Sequence, residues 1–158
     1  YYNRIAAPVE ARPRPEGLFV NTAKTTILVV DDEPAIRQIL LRSLSSAGFD
    51  TTTATDGADA LLKMAQQPFD IVITDITMPH MDGVALLGEI RSRFPDTKVI
   101  FITGQRLALM DKAVREADVD GLISKPFRNH EIVGQLRQLC LCRTHHRAPS
   151  DPVPPAPA

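Results

Sequence analysis

Between Lys24 and Cys142, five short apolar runs alternate with five longer segments of helical periodicity. Most of the runs have apolar residues at consecutive positions, which is typical of strands covered on both faces of a sheet. Strands that alternate with helices form right-handed βαβ units and one parallel sheet. We therefore predict an α/β fold, a doubly wound five-stranded parallel sheet with five helices, with 2-1-3-4-5 as the natural strand order. The predicted strands are residues 26–30, 51–54, 71–74, 98–102 and 121–124.

The segments between the strands carry start and stop signals of helices. Pro34 suits the first turn of a helix, and Gly48 suits its end. Asp56 and Asp82 precede the second and third helices, where a carboxylate accepts hydrogen bonds from exposed backbone N–H groups. The remaining predicted boundaries are the end of the third helix before Pro95, the fourth helix at residues 110–117 and the start of the fifth after Pro126.

Both ends of the chain differ from this core. Residues 1–23 are predicted to be an irregular leader that mixes prolines with arginines, and residues 143–158 a proline-rich tail, which leaves one domain at residues 24–142. The net charge of −1 gives no bulk electrostatic reason to expect nucleic acid or an acidic membrane as a partner. No apolar run approaches the ~18 residues of a membrane span. The two cysteines fit a reducing cytoplasm.

Polar residues stand where four of the predicted strands end. Asp31 and Asp32 follow the first strand, Asp75 the third, Thr103 the fourth and Lys125 the fifth. In an open parallel sheet, ligands bind beyond the carboxyl ends of the strands, so these side chains are expected to converge at one edge.

This set of side chains predicts phosphoryl-transfer chemistry. The three carboxylates and one ammonium carry a net charge of −2, which a divalent cation neutralises, and hard oxygen ligands suit Mg²⁺. A carboxylate can attack phosphorus to form an aspartyl-phosphate. The cation, Lys125 and the Thr103 hydroxyl can then neutralise and orient the phosphoryl oxygens.

Four stretches resemble, in the same order, the receiver domains of bacterial response regulators. They are residues 27–34 (ILVVDDEP), 70–83 (DIVITDITMPHMDG), 99–104 (VIFITG) and 124–127 (SKPF). The resemblance covers about residues 24–142 and implies a flavodoxin-like fold and a role in two-component signalling. A histidine kinase or a histidine phosphotransfer protein would donate a phosphoryl group, and the modified domain would bind a partner differently. The domain would catalyse its own phosphorylation and dephosphorylation and no other reaction.

The resemblance also implies a role for each matching residue. Asp75 would be the phosphoacceptor, and Thr103 and Lys125 would contact the phosphoryl group. The Lys125–Pro126 bond would be cis. The expected Mg²⁺ ligands are Asp32, Asp75, Asp31 (directly or through water) and the backbone carbonyl of Thr77.

Two positions depart from the family pattern. Leu122 replaces the Tyr or Phe that usually acts as a rotating switch, and Asp118 stands where Gly commonly follows the fourth helix; Asp tolerates a left-handed conformation better than most residues. Our hypothesis is that the switch acts through residues 104–110, which include Leu109, with Leu122 as passive packing. The partner could be a second copy, which would dimerise through the fourth helix, fifth strand and fifth helix.

Other functions remain as alternatives. A phosphatase with an aspartate nucleophile normally has a second Asp two residues later, where this chain has Thr77. A degenerate receiver would lack pocket residues that are present here. The Cys140, Cys142, His145 and His146 cluster has zinc-ligand types without a usual zinc spacing. Residues 143–158 are too few for a DNA-binding domain, so we expect either a stand-alone receiver or a piece of a longer regulator or hybrid kinase.

Overall fold

The structure is a computed structural model and describes residues 24–104 and 112–141. Five strands form one sheet in the order β2-β1-β3-β4-β5, and all neighbouring pairs are parallel. The predicted fold class and strand order are therefore confirmed. The strands are β1 Thr26–Val30, β2 Asp50–Ala54, β3 Ile71–Asp75, β4 Lys98–Gly104 and β5 Gly121–Lys125.

Helices cover both faces of the sheet. The helices of the described residues are α1 Pro34–Ser46, α2 Gly57–Gln66, α3 Gly83–Arg93, α4 Lys112–Arg115 and α5 Asn129–Leu141. Leu28 and Val30 of β1 face the core shared with α2, α3 and α4, whereas Ile27 and Val29 face the core shared with α1 and α5. Both faces of the strands are thus buried, which explains their consecutive apolar residues. None of the described helices has the length and apolar character needed to cross a membrane.

The helix boundaries follow the predicted signals. Oδ1 of Asp56 accepts a hydrogen bond from the amide of Asp59, and Oδ1 of Asp82 accepts one from Ala85, so both predicted caps are confirmed. Gly48 follows α1 with a φ of 96°, which suits a residue without Cβ. Of the predicted fourth helix, the structure describes residues 112–117, and Lys112–Arg115 are helical.

At the end of the sheet opposite the carboxyl ends of the strands, Arg91 forms a group of hydrogen bonds that we call the Arg91 clamp. The guanidinium donates to the carbonyl oxygens of Thr97 (2.8 Å) and Asp118 (2.8 Å) and to the carboxylate of Asp120 (2.9 Å). Asp118 does not adopt a left-handed conformation; among the described residues other than glycine, His80 alone has a positive φ, of 69°. Both Nε and Nη2 of Arg91 donate to the carbonyl oxygen of Asp118.

Candidate functional site

Asp31 follows β1 at the carboxyl edge of the sheet. Its amide donates to the carbonyl of Ala54 (3.3 Å), and its Oδ1 accepts a hydrogen bond from the amide of Glu33 (2.8 Å). Oδ2 is buried and finds no hydrogen-bond partner among the described residues, although Nζ of Lys125 lies 3.7 Å away. Burial raises the pKa of Asp31 above its usual value and outweighs the opposite effects of the Glu33 amide and Lys125. A buried carboxylate oxygen without a hydrogen-bond partner is suited to bind a cation.

Asp75 is the last residue of β3, and both of its carboxylate oxygens are held. Oδ2 accepts a hydrogen bond from Nζ of Lys125 at 2.9 Å, and Oδ1 accepts one from the amide of Thr77 at 3.1 Å. The first residue of α3, Gly83, packs against the backbone of Asp75. A Cβ at this position would lie 2.5 Å from the carbonyl oxygen of Asp75, so only glycine allows this approach.

Lys125 and Thr103 reach the same edge from the last two strands. Thr103 pairs with Ser124 across β4 and β5, and its buried hydroxyl donates to the carbonyl of Gly104 (3.2 Å). Burial lowers the pKa of Lys125, but the hydrogen bond and charge of Asp75, with the charge of Asp31, outweigh it and raise the pKa above its usual value. Lys125 is therefore protonated at neutral pH. The Lys125–Pro126 bond is cis, as predicted.

The three carboxylates converge as the sequence predicted. One oxygen from each of Asp31, Asp32 and Asp75 lies within 4.8 Å of the other two. These hard oxygen atoms, and Oδ2 of Asp31 without a hydrogen-bond partner among the described residues, fit a divalent cation such as Mg²⁺. The amide of Thr77 faces Asp75, and the role of its carbonyl as a ligand stays a prediction.

The comparison with protein families decides the identity. Residues 27–137 match the model of the response regulator receiver domain. The chain belongs to this family. Among curated relatives of this receiver domain, the response regulator receiver protein CpdR of Brucella abortus is 33% identical over 118 residues, which are 73% of this chain and 96% of CpdR. The sensor histidine kinase RcsC of Escherichia coli is 37% identical over 119 residues, or 75% of this chain.

Solved receiver structures have the same fold. The chemotaxis protein CheY4 of Vibrio cholerae superposes with a TM-score of 0.68 at 30% identity and covers 73% of this chain and 98% of its own. The response regulator TrrA of Thermotoga maritima, solved in complex with Mg²⁺-BeF, gives 0.66 at 36% identity and the same coverage. The receiver domain spans only 12% of RcsC and 55% of the response regulator MprA from a Mycobacterium species.

The structure also reveals features that the sequence did not indicate. A groove of about 440 Å³ lies beside the site, lined by Ile36, Ile39, Lys125, Pro126, Phe127 and Asn129. Ile39 is 45% exposed. The sequence signal that could have indicated the groove is this additional isoleucine of α1, which stands beside the core residue Leu40. Leu122 is 41% exposed on β5, while Leu107 to Met110, Cys142, His145 and His146 lie outside the described residues.

Proposed function

We propose that Asp75 accepts a phosphoryl group in a Mg²⁺-dependent reaction and that this modification switches the binding of a partner. The observation that carries this proposal is the position of the Asp75 carboxylate, 2.9 Å from the Lys125 ammonium and in one cluster with Asp31 and Asp32. The complex of TrrA with Mg²⁺-BeF supports the same chemistry in a related receiver.

Each residue has a separate part in this reaction. An oxygen of Asp75 forms a bond to phosphorus while the P–N bond of a phosphohistidine breaks, and the electron pair leaves with the imidazole. Bound Mg²⁺ supplies positive charge to the phosphoryl oxygens. Asp31, Asp32, Asp75 and the Thr77 carbonyl would hold the cation, and Lys125 would contact a phosphoryl oxygen. The Thr103 hydroxyl, which now donates to Gly104, turns towards the phosphoryl group.

A phosphatase of the aspartate-nucleophile class is less well supported. Two residues after Asp75, Thr77 offers its amide to Oδ1 of that carboxylate, and it has no acidic side chain to protonate a leaving group. We therefore propose that the chain has no catalytic activity beyond its own phosphorylation and dephosphorylation.

The phosphodonor is a histidine kinase or a histidine phosphotransfer protein that docks over the groove beside Lys125. Ile36 and Ile39 of α1 and Phe127 after β5 give the groove an apolar lining, and Lys125 belongs to both the groove and the site. A donor that covers this groove can therefore place its phosphohistidine against Asp75. A shallow apolar surface of this kind is typical of protein contacts.

The relatives support two arrangements of the domain. CpdR supports a stand-alone receiver, whereas RcsC supports a receiver within a hybrid kinase. We propose residues 24–142 as the folded unit, acting in the cytoplasm and without nucleic acid contacts of its own. Dimerisation through α4, β5 and α5, where Leu122 is exposed, stays a hypothesis.

Acetyl phosphate provides the direct test of this function. With Mg²⁺ it should add one phosphoryl group to the chain, and the product should be stable in acid and labile in base, as an acyl phosphate is. A product with the opposite stability, or labelling that a chelator leaves unchanged, contradicts the proposal.

A further inference from the structure

Arg37 makes a contact at the site for which none of the assignments above accounts. It is the fourth residue of α1, and its Nη1 donates to the carbonyl oxygen of Asp31 at 2.7 Å. Such a short hydrogen bond from a charged donor is a strong one. The first turn of a helix is an unfavourable place for a cation because of the helix dipole, and α1 has no acidic residue there to compensate. The helix dipole therefore does not favour Arg37 at this position.

The contact fixes the peptide that joins the two adjacent carboxylates. The carbonyl of Asp31 and the amide of Asp32 belong to one planar peptide unit. The amide of Asp31 is already bound to Ala54, and its Oδ1 to Glu33. Arg37 adds a third point, the carbonyl oxygen, and so sets the plane from which Asp32 projects. Because Asp32 is exposed, core packing does not hold it in this direction.

We infer that Arg37 is a positioning residue for the divalent cation site. It holds the peptide between Asp31 and Asp32 so that both carboxylates face Asp75. This inference rests on the proposed Mg²⁺-dependent phosphorylation. The charge of Arg37 and its hydrogen bond make opposite predictions. Loss of the positive charge close to the site removes Coulomb repulsion and strengthens Mg²⁺ binding, whereas loss of the hydrogen bond that holds the peptide weakens it. The sign of the change therefore distinguishes the two effects.

The first measurement is a calorimetric titration of the unphosphorylated chain with Mg²⁺. Arg37→Met should bind about tenfold more weakly, the lower end of the range for residues that orient metal ligands. Arg42→Met is the matched control, since Arg42 is exposed on the same helix and its loss changes the net charge equally. Its affinity should stay within about twofold of wild type because salt screens an exposed charge. Arg37→Lys should lie between wild type and Arg37→Met, since an ammonium lacks the planar fork of a guanidinium.

The second measurement is the rate of phosphorylation by acetyl phosphate against Mg²⁺ concentration. The half-saturating Mg²⁺ concentration of Arg37→Met should rise about tenfold, while the rate at saturation stays close to wild type. A merely structural role would lower the saturated rate and the melting temperature and leave the half-saturating concentration unchanged.

The results separate this inference from the proposed function. Mg²⁺ binding by Arg37→Met that equals or exceeds wild type overturns the positioning role. If Arg37→Met does not fold, wild-type Mg²⁺ affinity in Arg37→Lys overturns it. If the wild type binds Mg²⁺ and responds to Arg37→Met as expected but is not phosphorylated on Asp75, the proposed function fails and the positioning role stands.

Discussion

Nζ of Lys125 lies 2.9 Å from Oδ2 of Asp75, although the strands that carry these residues are separated by β4. The doubly wound order thus unites groups that are 50 residues apart in the sequence. The contact keeps the lysine protonated, since it raises the pKa of Lys125 in spite of burial. In the proposed function, the same ammonium contacts the phosphoryl group that is transferred to Asp75.

Replacement of this lysine should separate cation binding from phosphoryl transfer. Lys125→Met should bind Mg²⁺ more tightly, since a positive charge beside Asp75 and Asp31 is removed. Its phosphorylation by acetyl phosphate should be slower by about 100-fold, as for the loss of one group that stabilises charge in a transition state. Calorimetry and intact-mass kinetics check the two effects. Equal phosphorylation rates in variant and wild type would show that Lys125 does not contact the phosphoryl group.

Gly83 and Gly88 of α3 offer a matched pair of substitutions that tests how closely this helix packs against Asp75. Gly83→Ala should destabilise the fold by about 1–3 kcal/mol, because its Cβ would meet the backbone of Asp75 and Ile76 at 2.5 and 2.8 Å. Gly88→Ala, with no atom within 4 Å of the added carbon, should stabilise it by up to about 1 kcal/mol. Urea denaturation measures both changes. Similar effects of the two substitutions would mean that α3 does not approach Asp75 as closely as described.

The Arg91 clamp predicts a specific pH dependence of stability. Burial raises the pKa of Asp120, but hydrogen bonds from the Val99 amide and Arg91 and the charge of Lys98 outweigh it and lower the pKa. A folded-state pKa below the unfolded value means that the stabilisation is complete above the unfolded pKa and is lost as the pH falls through the folded pKa.

The difference in free energy of unfolding between wild type and Asp120→Asn should therefore be largest near neutral pH. It should shrink below about pH 4, the ordinary pKa of aspartate. Denaturation series at several pH values test this, with Asp96→Asn, on the exposed loop before β4, as the control. A difference that is constant with pH would contradict the ionic role of Asp120.

The groove beside the site can be tested with two apolar residues on opposite faces of the sheet. Ile39→Asp should prevent phosphotransfer from autophosphorylated histidine kinases of the source organism, because a charge enters the apolar groove. It should leave labelling by acetyl phosphate unchanged, since the small donor needs no docking surface. Leu62→Asp, on α2, is the control and should behave as wild type with both donors. Loss of transfer in the control alone would place the docking surface elsewhere.

The fold and the convergence of the candidate site residues were predictable because both depend on patterns along the chain. Consecutive apolar residues marked the strands, and the rule for parallel sheets brought Asp31, Asp75 and Lys125 to one edge. The observed strands β3, β4 and β5 extend to Asp75, Gly104 and Lys125, one or two residues beyond the predicted ends. Apolar patterning does not mark these strand-end residues, which lack apolar side chains but still pair in the sheet.

The remaining features depend on distances between elements. The close approach of Gly83 to Asp75 and the contact of Arg37 with Asp31 are set by how α3 and α1 pack at the strand ends. No periodicity along the chain encodes such distances. A basic residue in the first turn of α1, against the usual charge preference, was the one local sign of the Arg37 contact.

The most direct test of the central claim is the location of the phosphoryl group after treatment with acetyl phosphate and Mg²⁺. Wild type and Asp75→Asn are compared by intact mass, followed by peptide mapping of the modified chain, and circular dichroism checks that both variants are folded. The account predicts one phosphoryl group on the peptide that contains Asp75 and none on Asp75→Asn. Undiminished labelling of a folded Asp75→Asn would contradict it.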